Sequence, residues 1–353
     1  MTELGARKQT IADVGEKRLI RQSIAPLAGT PATGIGVGDD AAVVRMPPGE
    51  DLVISTDKIP EDLLALRFGL MDPAAHGRYL AEVNISDIGA MGATPLGLLL
   101  TLALPDDSPL ADVERFVSGF AVQGARWGAP LLGGDTGWAT TPALSATAFG
   151  TVPQGRALLR SGARPGDVLV VSGEIGAFGG ALAYFATAAE RMRSLSAEDE
   201  ILLRDRLVVP QAQVDLGTSL RVSGTCSACM DVTDGLGQSI VELGDASDVA
   251  FAVSPGDIPI APVAYRVARL LDVNVMELVF GIGLELELLA TLRCAADQLP
   301  EMLKASFHVI GHAVVGSESY LEDDGERHDL PGIGWQHFAG SALENVLKQL
   351  RHE

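Results

Sequence analysis

Cysteine is scarce in this chain, and the three present make no disulfide framework. Cys226 and Cys229 form a lone C-x-x-C without a second pair, which reads as core packing rather than a redox motif. Long apolar runs are missing too. The longest, PLGLLLTLALP at 95–105, falls short of the roughly 20 residues of a membrane span and is bounded by prolines, so it is expected to be a core strand. The opening MTELGARKQTIADVGEKRL has no apolar segment of the signal-peptide kind, and a cytoplasmic location is expected. Positive charge is in deficit: 26 Lys and Arg stand against 46 Asp and Glu, a net charge of −20. Such a surface is a poor non-specific binder of nucleic acid or anionic membrane, so neither is expected as a partner. Two common nucleotide signatures are also absent. There is no G-x-x-x-x-G-K-[ST] phosphate loop, and no kinase H-R-D or D-F-G set. The GIGVG at 34–38 lacks the preceding strand and last glycine of a dinucleotide fingerprint.

What is present is a globular α/β pattern. The chain has 353 residues, 47% hydrophobic and 20% charged, long enough for two domains. Strands are expected at 52–56, 95–104, 129–136 and 143–152, with helices at 73–92 and 109–128. The Gly-, Arg- and Pro-rich stretch QGRALLRSGARPGD (154–167) reads as a linker or entry loop, dividing a domain of 1–153 from one of 154–353. Beyond it, strands are expected at 167–173, in DVAFAV, in HVIGHAVVG and, with alternating burial, in LELELLATL (284–292). Helices are expected in AFGGALAYFATAAERM, in SAEDEILLRDRLVVP, over 261–279 and in the closing SALENVLKQL. ACMDVTDGLGQSIVELG (228–244) reads as strand, tight turn, helix.

Aspartates recur where apolar runs end or glycines turn the chain: Asp39 and Asp40 in GVGDD, Asp57 in ISTD, Asp87 in NISD, Asp135 in GGDT, Asp231 and Asp234 in MDVTDG. Singly, each has an ordinary reading as a cap or turn residue. As a set they point to a divalent metal site. Mg²⁺ takes oxygen ligands, and substrate phosphates complete its shell, which is the arrangement phosphoryl transfer needs. Neighbours on an extended segment face opposite ways, so Asp39 and Asp40 cannot both serve one ion in the same way, and one of them is left to local hydrogen bonding.

The order GVGDDAAVV, ISTD, VNISDIGAMGATP, LLGGDT, GRALLRSGARPGD and MDVTDGL resembles the thiamine-monophosphate kinases of the aminoimidazole ribonucleotide synthetase-like superfamily. The resemblance runs from about Gly15-Glu16 to GWQHF (334–338). It implies two α/β domains, a homodimer whose N-terminal sheets join in a barrel, and ATP with Mg²⁺ in a cleft near that interface. It implies metal ligands at Asp40, Asp57, Asp87, Asp231 and Asp234, and a metal or nucleotide role for Asp135. It further implies nucleotide contacts at Ser55, Thr56 and Thr233, and phosphate contact through Arg160. Asp57, Asp135, Arg160 and Asp234 would carry the chemistry. The acceptor end departs from the family pattern. The segment after Asp57, KIPEDLLALRF, lacks the family's substrate histidine, which Arg67 replaces when the phenylalanine is aligned; counting from Asp57 puts Leu64 there. The family's G-G-E-D-Y-E-L becomes GIGLELEL, so Leu284 stands at its glutamate and Glu285 at its aspartate. Trp335 survives as an aromatic able to stack on a ring. The expected activity is transfer of the ATP γ-phosphoryl group to thiamine monophosphate. A relative that phosphorylates or activates a different small acceptor is the alternative, and a non-catalytic nucleotide-binding paralogue the third reading.

Overall fold

The computed structural model describes residues 9–29, 44–60, 63–187, 194–281 and 283–331. The first sheet holds β1 (Glu50–Lys58), β2 (Thr94–Leu104), β3 (Leu131–Trp138) and β4 (Ala143–Pro153) in the order β1-β4-β2-β3. Helices α1 (Pro73–Ala90) and α2 (Leu110–Arg126) lie against it. Asp72 starts α1: its carboxylate accepts the Ala75 amide at 2.7 Å, and Pro73 follows at the first helical position, where no amide is needed. Gly77 and Gly119 let the two helices touch, since a Cβ on either would overlap the carbonyl oxygen of Phe116 or Ala74 on the other helix.

The second sheet runs β11-β10-β7-β9-β5-β8-β6. Its strands are β5 (Val168–Ser172), β6 (Cys226–Asp231), β7 (Ala250–Val253), β8 (Leu288–Leu292), β9 (Phe307–Val314), β10 (Tyr320–Asp323) and β11 (Glu326–Asp329). Every residue of β5 and β8 is buried. Leu169, Val171 and Leu289 enter one apolar cluster, while Val168, Val170 and Leu288 enter another. A strand covered on both faces reads as an unbroken apolar run. The helices are α3 (Ala177–Ala186), α4 (Ala197–Val208), α5 (Val214–Ser223), α6 (Leu236–Ser247), α7 (Pro262–Leu271) and α8 (Val275–Phe280). A further core cluster joins Leu98 and Phe120 of the first domain to Phe178, Leu203 and Val263 of the second. Cys229 is buried in β6 and all three cysteines are free, as core packing requires.

Several expectations are corrected. The alternating strand over 284–292 is confined to Leu288–Leu292, because Leu286 sits at a φ of 54° and Glu285 and Glu287 are turned inward. The helix over 261–279 is broken into α7 and α8 at Asp272, which adopts φ 57°. Helix α5 and the β10–β11 hairpin were not expected. Asp39, Asp40, GIGVG, Trp335 and the closing SALENVLKQL segment lie outside the described residues. Residues 154–167 carry neither strand nor helix. Among the described residues, no helix is long and apolar enough to cross a membrane.

The unexpected α5 packs on the C-terminal end of α1. A Cβ on Gly217 would overlap the carbonyl oxygen of Gly89. Gly217→Ala is therefore expected to cost about 1–3 kcal/mol in urea unfolding. Gly256→Ala, at a site with nothing within 4 Å, serves as the control. Equal midpoints for the two variants would refute the close contact.

Candidate active site

The last turns of α1 carry Asn84, Ser86 and Asp87, and each meets a different partner. The Asn84 side chain is fully buried; its Oδ1 accepts the Asp57 amide at 3.0 Å and its Nδ2 donates to the Leu80 carbonyl at 2.9 Å. That clamp holds the end of β1 against the helix. Ser55 on β1 donates its hydroxyl to Asp87, and the Asp57 carboxyl lies within hydrogen-bonding reach of the same group. Ser86 donates to Asp231 at the end of β6. The first domain thus supplies Asp57 and Asp87, the second supplies Asp231, and serine hydroxyls hold Asp87 and Asp231 in place.

Among the described residues, the site is short of positive charge. Burial pushes the Asp231 carboxyl up to about 7, and the charge of Asp87 adds to the rise. Burial likewise raises Asp87, against the lowering pull of Ser55 and Arg160. Asp87 also lies in the last turn of α1, where the helix presents its negative end. Arg160 acts on both carboxylates, yet its guanidinium is bonded to Glu242 on α6 at 3.0 Å. Oxygen donors only, with unbalanced negative charge, fit a hard divalent cation such as Mg²⁺. Among the described residues, no three acidic, His or Cys side chains ring a common point.

Thr233 and Asp234 follow Asp231 in the turn into α6 and are half-buried. Gly235 at φ 96° completes that turn, packed against the Gly281 carbonyl so closely that a Cβ has no room. The Val232 amide donates to the Glu287 carbonyl at 2.8 Å, and the Leu286 amide returns to the Val232 carbonyl at 3.0 Å. The aspartate turn and the GIGLELEL segment are therefore hydrogen-bonded to one another.

Not every expected residue joins the cluster. Asp57, Ala146, Leu100 and Gly134 form one row across the first sheet, and Lys58, Ser145, Thr101 and Asp135 form the next. Adjacent rows face opposite ways, so Asp135 lies on the other face from Asp57, about 14 Å away across the strands. Thr56 turns from the cluster as well, donating to the Ala146 carbonyl at 2.8 Å. Arg67 ends the one-turn helix Leu64–Arg67 and is exposed, and Leu284 is half-buried against the apolar core. Glu285 is buried, its Oε1 accepting the amides of Gly176 at 2.7 Å and Phe178 at 3.1 Å at the start of α3. Glu287 accepts from Ser172 and from Gln213, the latter at 3.2 Å. Sequence reasoning missed Asn84, Ser86 and Glu287, and reached Glu285 only by its alignment with the family's aspartate. The first two were visible as polar residues in a buried helical segment; the glutamates alternate with leucines and mimic the outer face of a strand.

The family model for AIR synthase related protein, N-terminal domain, matches residues 38–152. Thiamine-monophosphate kinase of Caulobacter vibrioides is 37% identical over 244 residues, 69% of this chain and 66% of that protein. The Escherichia coli K12 thiamine-monophosphate kinase is 32% identical over 315 residues, 86% of this chain and 92% of that protein. The chain belongs to the thiamine-monophosphate kinase family. A solved structure of AaThiL complexed with AMPPCP and TMP superposes with a TM-score of 0.72 at 26% identity, covering 83% of this chain and 89% of that one. The expected two-domain fold of the aminoimidazole ribonucleotide synthetase-like superfamily is the fold observed.

Burial pushes Glu285 up to about 7, above its ordinary 4.5. Between those values the folded chain binds more protons than the unfolded one, so this group's contribution to stability is lost as pH rises through about 7. Glu285→Gln keeps the accepting carbonyl and removes the titration. Urea unfolding at pH 5.5 and pH 8 is expected to show a shallower loss of stability in E285Q than in the wild type. Parallel losses would discard the assignment.

Proposed function

We propose that the chain is an ATP- and Mg²⁺-dependent phosphotransferase acting on thiamine monophosphate, with domains dividing at residue 153. The observation that carries the reading is that Asp87 approaches Asp57 on one side and Asp231, across the domain boundary, on the other, with Arg160 acting on both Asp87 and Asp231. Asp57, Asp87, Asp231 and Asp234, with Asp40, would hold Mg²⁺; bound there it would neutralise triphosphate oxygens. Arg160 would leave Glu242 to contact phosphate through its planar fork. Ser55, Thr56 and Thr233 would contact the nucleotide. An oxygen of the acceptor phosphate attacks the γ-phosphorus, the bond to the β–γ bridging oxygen breaks, and ADP leaves.

The chain is also proposed to act as a homodimer. The face of the first sheet away from α1 exposes Leu52 and Ile54, at 47% and 62%, beside half-buried Leu99 and Phe149. Asp135 lies on that same face, so a second copy docked there would place it at an interface rather than in open solvent.

A second reading keeps the ATP chemistry and changes the acceptor. It is favoured by the acceptor end itself, where Leu284 packs into the core and Glu285 is consumed by the start of α3. Mixing the protein with ATP, Mg²⁺ and thiamine monophosphate and weighing the product separates the two. Thiamine diphosphate supports the first; ATP binding without that product supports the second. Asp57→Asn is expected to lower ATP turnover by about 10²–10³-fold, the range seen when one charge-stabilising group is removed. Unchanged turnover would sink the metal assignment. Ile54→Lys is expected to convert a dimer to a monomer in light scattering, and a wild-type monomer or a dimeric variant would count against the interface.

A further inference from the structure

Glu82 is a fully buried carboxylate on α1 with no role in the reading above. Its Oε1 accepts from the Trp127 indole nitrogen at 2.9 Å and from the Gln123 amide, both on or at the end of α2. Its Oε2 accepts the Ala212 amide of the second domain at 2.7 Å. Glu82, Ser86 and Gly89 stand at i, i+4 and i+7, a single stripe along α1. Each member of that stripe meets the second domain: Glu82 at Ala212, Ser86 at Asp231, and Gly89 against Val214 and Gly217. Burying a carboxylate is costly unless its oxygens are satisfied, and three donors converge here to satisfy them. An apolar residue would fill the space without fixing how far α1 slides or rotates. A carboxylate holding donors from both domains fixes both.

We propose that Glu82 is a positioning residue whose buried carboxylate sets how α1 seats on the second domain, and so sets the gap between Asp87 and Asp231. This rests on reading those carboxylates as a metal site. The environment is specific for an acceptor-only group. Donors reach both oxygens, so the amide of Glu82→Gln turns an N–H against another N–H while keeping the side-chain volume. E82Q is therefore expected to weaken binding of Mg²⁺ with the ATP analogue AMPPCP by about tenfold, the scale for loss of a group that orients metal ligands. It is expected also to speed amide hydrogen exchange in 212–217 and 231–234. Val267→Ala, a core truncation with no bond to this seam, is the control for mere loss of stability and is expected to change neither.

Should E82Q fail to fold, Ala212→Pro removes the amide donor from the other side of the bond and carries the same expectation, with Gln211→Pro as the control for the fixed φ and the ring. Unaltered exchange in 212–217, or equal changes in V267A, would overturn the inference. Wild-type protein that binds no Mg²⁺–AMPPCP would instead refute the proposed function. The exchange data would then decide the seam on their own: faster exchange in E82Q supports it, and unaltered exchange rejects it.

Discussion

Two carboxyl groups, the half-buried Asp87 and the buried Asp231, are held close together, and the rest of the structure is arranged to make that tolerable. Each carboxylate accepts a serine hydroxyl, and each feels Arg160. These partners reduce the cost without cancelling it, since Asp231 is still driven up to about 7. Buried charge left in this condition is expensive, and chains retain it where a cation or a reacting group will supply the balance. The domain boundary matters for the same reason. Asp57 and Asp87 come from one sheet-and-helix layer and Asp231 from another, so the repulsion also acts to separate the two domains, and packing must oppose it.

Helix α1 provides that opposition. It is buried on nearly all sides, against the first sheet, α2 and the second domain. Such a helix needs small residues wherever backbone meets backbone, and Gly77 and Gly89 occupy two of those places. It also needs every polar group matched. Asn84 is spent on Asp57 and Leu80, Ser86 on Asp231, and Glu82 on α2 and Ala212. The polar residues that look out of place in a buried helix are the ones that join β1, α2 and the second domain to it.

The larger elements were legible because periodicity and end signals agree in them. Asp72-Pro73 opens α1, and the apolar runs of β2, β5 and β9 have no competing helical spacing. Helix α5 was hidden because VDLGTSLRVS mixes glycine and β-branched residues, and its support comes from Gly89 rather than from its own pattern. In LELELLATL the period of two was real but its cause was misjudged. Glu285 and Glu287 do not face solvent; backbone amides and Ser172 draw them inward. The neighbourhood of Asp57, Asp87 and Asp231 was legible, whereas the division of the aspartates between sheet faces was not. Which face Asp135 takes follows from strand register, and register is a property of pairing, not of any one segment.

That register has a consequence for where chemistry can occur. The first sheet is covered by helices on one face and bears apolar side chains on the other, so its two faces have different fates. Asp57 belongs to the covered face and meets Asn84 and Asp87 of α1, while Asp135 belongs to the bare one. The GIGLELEL segment is tied to the covered side, because the turn carrying Asp231 and Asp234 shares backbone hydrogen bonds with Leu286 and Glu287. A shift in GIGLELEL to suit a different acceptor must therefore move the aspartate turn or break those bonds. Change in this segment is cheapest at side chains that leave the backbone pairing intact. Leu284 is such a position: its side chain can change while Val232, Leu286 and Glu287 keep the aspartate turn in register.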